Sequence, residues 1–80
     1  MNKVKITIFI EGAKTTFIAN SKVIANVWRD ESSHVWRYRV EPTNCQNWTD
    51  RSQDTAINDV KHIVTRELNR WGFSAEFVTM

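Results

Sequence analysis

Only one stretch of this chain carries the periodicity of a helix. Between Ser52 and Trp71, the residues Ile57, Val60, Val64, Leu68 and Trp71 recur at spacings of three and four. That spacing is one apolar stripe along a 3.6-residue repeat. Much of the rest alternates instead. Val4, Ile6, Ile8 and Ile10 interleave with Lys3, Lys5, Thr7 and Phe9, the period of a strand with one buried face. A single helical stripe among strand-like segments has one economical solution, which is to lay the helix across one face of a sheet.

Turn residues divide the strands. Glu11-Gly12 ends the first, because glycine supplies the positive φ of a tight hairpin. Lys14 to Ala19 is rich in Thr, Phe and Ile, and Asn20-Ser21 makes the next turn. Lys22–Asp30 and His34–Glu41 form a second hairpin around Glu31-Ser32-Ser33. In that register Asp30 faces His34, Trp28 faces Trp36, Asn26 faces Tyr38 and Ile24 faces Val40. It sorts Trp28, Trp36 and Tyr38 onto one face and Arg29, Arg37 and Arg39 onto the other. A one-residue slip would mix the two sets. Residues 42–51, PTNCQNWTDR, read as a polar connector in which Trp48 pins the chain to the core.

Ser52 is the expected N-cap of the helix, with Asp54 suited to the positive end of its dipole. Thr55, Asp59, His62, Arg66 and Asn69 lie off the stripe, on the solvated face. Gly72 fits the C′ position that ends the helix. Phe73, Ala75 and Phe77 then alternate with Ser74, Glu76 and Val78 as a closing strand. The expected fold is α+β in two layers: an antiparallel sheet of four to five strands packed on one C-terminal helix, in the order β-β-β-β-α-β. It occupies one domain over residues 1–80. That order is similar to small antitoxin-like domains such as the HicB family, in the succession of elements alone and through no motif.

Most catalytic chemistry finds no foothold here. The only glycines are Gly12 and Gly72, which excludes glycine-rich phosphate loops. There is no HExxH zinc motif and no GxSxG elbow. Cys45 is the sole cysteine, so neither an intrachain disulfide nor a cysteine-based zinc site can close, and the residue reads as an ordinary exposed thiol. His34 and His62 do not converge, and Asp59 beside His62 reads as a surface ion pair. Asn47-Trp48-Thr49 matches the glycosylation triplet, a pattern common by chance. The sequence points to no enzyme, no cofactor and no metal. The lone thiol fits a reducing compartment, so the cytoplasm is the expected location. No apolar run approaches the ~20 residues that span a bilayer, so no membrane association is expected.

The aromatic stock suggests binding. A helix is about 10 Å wide, whereas five strands at about 4.8 Å span roughly 24 Å. Part of the sheet therefore stays uncovered, in a chain with four tryptophans among 80 residues. Trp, Tyr and Arg are the residues most enriched at binding hot spots. The expected partner-binding residues are Trp28, Arg29, Trp36, Arg37, Tyr38 and Arg39, on the second hairpin. The expected function is a small non-catalytic protein-binding module, of the inhibitor or adaptor type common among phage and mobile-element proteins. It would bind through that hairpin or an edge strand, to another protein or to a second copy. The alternative is RNA or DNA, held by aromatic and basic strand residues. A formal charge of +2 and the separation of aromatics from arginines speak against it.

Overall fold

The structure, a computed structural model, describes residues 2–41 and 45–80, and of Cys45 the backbone alone. Pro42, Thr43 and Asn44, at the start of the expected connector, and the Cys45 thiol lie outside the described residues. The elements are β1 (Asn2–Glu11), β2 (Lys14–Ala19), β3 (Lys22–Asp30), β4 (Val35–Val40), β5 (Cys45–Thr49), α1 (Gln53–Arg70) and β6 (Phe73–Thr79). They form one curled sheet in the order β5-β4-β3-β2-β1-β6, with α1 on one face. No described helix is long and apolar enough to cross a membrane.

Among the described residues, the α+β class and the single helix agree with the sequence, but the sheet has six strands and is mixed. β1 to β5 are an antiparallel meander, whereas β6 runs parallel to β1. The additional strand is β5, inside the segment read as a connector. It turns the chain round once more, so the helix must carry the chain back across the sheet before β6 begins. A strand entered through such a crossover runs in the same sense as its neighbour.

Turn chemistry accounts for the first two hairpins. Gly12 sits at φ 59° in the two-residue turn between β1 and β2. Asn20 (φ 52°) and Ser21 (φ 65°) are both left-handed, as a type I′ turn between β2 and β3 requires. The register shifts between Phe17 and Ile18, an irregularity of the kind that strengthens local twist. At the helix start, Ser52 is extended and its hydroxyl accepts the Thr55 N–H at 3.1 Å. At the end, Gly72 at φ 84° donates its N–H to the Asn69 carbonyl at 3.1 Å.

The core lies between sheet and helix. Ile6, Ile8, Phe17, Val27 and Val40 are sealed beneath Ala56, Ile57, Val60 and Val64. Phe17 meets Phe77 edge to face, with ring centroids 6.3 Å apart. One end of the expected stripe departs from the core. Trp71 is the C-cap, past the last helical turn, and its side chain is 77% exposed. It still lines a groove together with Val64 and Leu68, but lies past the end of the packed core.

The second hairpin also differs from expectation. Its loop holds four residues, Glu31 to His34, and the pairs are Asp30 with Val35, Arg29 with Trp36, Trp28 with Arg37, Val27 with Tyr38 and Asn26 with Arg39. Asp30 does not face His34, and neither Tyr38 nor Val40 has the partner the shorter loop would give it. The cause is local. Asp30 caps a helical turn through its Oδ1, which accepts the N–H (3.0 Å) and hydroxyl (2.7 Å) of Ser32. The His34 N–H then closes the turn onto the Asp30 carbonyl at 2.8 Å, and His34 exits at φ 56°.

Candidate functional site

That one-residue difference decides which side chains share a surface. Val27, Ala25, Tyr38 and Val40 turn toward α1 and are buried. Their neighbours in each strand turn to the opposite face of the sheet, away from the helix. Across that face, pairing aligns two rows. One runs Glu11, Lys14, Trp28, Arg37, Trp48 from β1 to β5, and the next runs Phe9, Thr16, Asn26, Arg39, Gln46. Two strand spacings separate Trp28 from Trp48, about 10 Å, with Arg37 between them. Trp48 is 55% exposed and Trp28 half-buried. Shallow depressions of about 480 and 270 Å³ flank Trp28, the first reaching Lys14 and Arg39, the second Gln46 and Trp48.

Charges of both signs share this face. The Arg37 Nε donates to the Asp30 Oδ2 at 2.6 Å. The Ser32 hydroxyl, and after it the Arg37 guanidinium, hold the Asp30 carboxyl well below the usual carboxylate range. Arg39 lies 3.5 Å from Glu41. Lys14 stands opposite Glu11, and Lys5 opposite Glu76. The result is an apolar and amide centre set among charges of both signs, not a field of one sign.

The six residues expected to bind a partner are thus divided. Trp28, Arg37 and Arg39 share the helix-free face. Trp36 and Tyr38 belong to the helix side: Trp36 is half-buried against the core, and the Tyr38 side chain is 4% exposed. Its hydroxyl donates to the Asp59 Oδ2 at 3.2 Å, so Asp59 braces α1 on β4 instead of standing in solvent. Arg29 is exposed on the same side as Trp36, its cross-strand partner. The two histidines stay on separate elements, His34 in the hairpin loop and His62 on the outer surface of α1. Sequence reasoning missed Trp48 as a surface residue because Cys45–Thr49 was read as connector. The available signal was its own alternation, with Gln46 and Trp48 on one face and Asn47 and Thr49 on the other. A further, more apolar groove of about 520 Å³ opens between the second half of α1 and the sheet, with Val4, Ile24, Leu68 and Phe73 among its walls and Trp71 and Lys22 at its rim. Compared with known protein families, curated proteins and solved structures, the chain matches none.

Proposed function

We propose that the protein is a small non-catalytic binding module and that its helix-free sheet face docks on another protein. The observation that carries this reading is the row Lys14–Trp28–Arg37–Trp48, aligned by register with no helix over it. Two tryptophans on strands about 10 Å apart give an apolar centre, and such residues supply much of the energy at interfaces. Arg37 is held in place by Asp30, so it presents an ordered donor instead of a flexible one. Asn26, Gln46 and Arg39 add hydrogen-bonding groups around the rings. Charges of both signs around an apolar centre suit a protein surface, whose own charges are mixed.

Nucleic acid is the second reading, and one observation favours it. Aromatics and arginines lie on the same face, where rings could stack on bases while guanidinium groups meet phosphates. The ion pair of Arg37 with Asp30, and the acidic side chains Glu11, Glu41 and Glu76 on or beside the same face, weaken the attraction for a polyanion.

The two readings separate in one set of measurements. The wild-type chain and the Trp28→Ala/Trp48→Ala double variant are used to capture proteins from host extract, and both are titrated with single-stranded oligonucleotide at several salt concentrations. A protein retained by the wild type and lost by the double variant supports the proposal. Equal retention by both removes the face from the argument. Oligonucleotide affinity that falls steeply with salt and disappears in the double variant transfers the site to nucleic acid.

A further inference from the structure

The sheet has two edges, and they differ. β5 spans five residues, and the Trp48 N–H is satisfied by the Asn47 Oδ1 at 2.8 Å, so one of its edge donors is closed off. β6 is longer and lacks such protection. Among its residues Phe73–Thr79 there is no proline, lysine or arginine, and its pairing with β1 is regular over all seven. Those are the usual devices that keep a strand edge from joining another. The Met80 N–H donates to the Ile8 carbonyl at 2.9 Å, which fixes the alternation of the strand. Ser74, Glu76 and Val78 direct their backbone groups toward β1. Phe73, Ala75, Phe77 and Thr79 therefore direct theirs to the open side.

We infer that β6 pairs antiparallel with β6 of a second copy, with Ala75 on the two-fold axis. The sequence about Ala75 is self-complementary. Phe73 stands opposite Phe77 of the second copy, and Ser74 opposite Glu76 of the second copy. The outward-facing backbone groups of Phe73, Ala75 and Phe77 meet one another in hydrogen-bonded pairs. Other registers are poorer. Centring on Glu76 places two carboxylates directly opposite, which destabilises a strand pair. Centring on Phe77 sets Glu76 against Val78. The Ala75 register also covers the Phe73 ring, 36% exposed in the single chain, and puts only a small side chain at the axis on the helix side. Two copies joined this way share one continuous sheet. A two-fold axis normal to the sheet puts both helix-free faces on the same side, so each assembly presents two Trp28–Trp48 patches. The edge is distinct from that face, and the inference stands whatever the face binds.

Sedimentation equilibrium of the full chain over a range of concentrations tests it. The wild type approaches twice the mass of the 80-residue chain as concentration rises. Ser74→Glu stays monomeric, because it sets a carboxylate against Glu76 of the second copy while gaining its own neighbour Lys3 in the monomer. Exchanging the two residues, Ser74→Glu with Glu76→Ser, restores the dimer. Ala75→Pro removes an outward N–H that makes no bond within the chain; it too is monomeric, with its circular dichroism spectrum retained. A wild type that remains monomeric at every concentration overturns the inference, as does a dimer that survives Ser74→Glu unchanged.

Discussion

Replacing Tyr38 with phenylalanine separates a structural role for this residue from a recognition role. The ring is almost wholly buried, so Tyr38→Phe keeps its packing and removes only the hydroxyl that reaches the Asp59 carboxylate at 3.2 Å. A hydrogen bond to a charged group contributes about 1.5–3 kcal/mol when well formed. This one is longer than the usual range for oxygen donors, and half-buried Asp59 can recover water once the hydroxyl is gone. The expected loss is therefore about 1 kcal/mol. In a domain this size that lowers the melting temperature by roughly 4–8 °C. Tyr38→Ala differs in kind. Removing some 200 Å² of buried ring at about 25 cal/mol per Å² forfeits up to ~5 kcal/mol. Total stability at ~0.05–0.15 kcal/mol per residue is about 4–12 kcal/mol, so that variant stands near the edge of folding. Urea denaturation followed by tryptophan fluorescence measures both, and a double-mutant cycle with Asp59→Ala, which removes the acceptor, isolates the pair. A Tyr38→Phe protein as stable as wild type, or a cycle with no coupling, refutes the bracing of α1 on β4. Selective loss of partner binding by Tyr38→Phe, with stability intact, returns Tyr38 to the recognition surface.

Two further outcomes follow from the hairpins. The Asp30 carboxyl titrates below its unfolded value, so its contribution is fully present above about pH 5 and is lost as pH falls through the ordinary carboxylate range toward the depressed folded value. In Asp30→Asn, stability followed by denaturation from pH 6 to pH 2 should fall less steeply than in wild type; parallel curves would contradict the role given to the Ser32 and Arg37 bonds. Ser21 is left-handed at φ 65°, in a turn whose preferred pair is Asn-Gly, so Ser21→Gly should raise stability by about 0.5–1 kcal/mol in the same denaturation assay. A destabilised variant would mean that the turn conformation is not the one described.

Much of the architecture was legible because its signals are short-range. Asn20-Ser21, Ser52 and Gly72 act on groups within a few residues, so a turn, an N-cap and a helix end could be placed from neighbours alone. The stripe Ile57–Val60–Val64 is likewise a property of one segment. β5 escaped because Gln46-Asn47-Trp48-Thr49 has a single large apolar residue, and its strand form depends on pairing with β4. Trp71 continues the helical spacing in the sequence, yet it is the C-cap, beyond the last turn that the sheet covers, and stays exposed at the rim of a groove.

The candidate site shows where local signals stop being sufficient. The sequence alone supplied the rings, the cations, the alternation and one helix too narrow to cover the sheet. It also held the cue for the four-residue loop, an aspartate with serines two and three residues on, but a hairpin with a three-residue loop satisfies the alternation of each strand equally well. Only the folded chain chose between them. A slip of one residue reverses every side chain of β4, and the cost of the wrong choice is paid far from the loop, where Tyr38 and Val40 must meet α1 while Trp48 finds its place beside Arg37. Which rings are buried and which stand free therefore depends on contacts between segments distant in sequence, and these exist only once sheet and helix have come together.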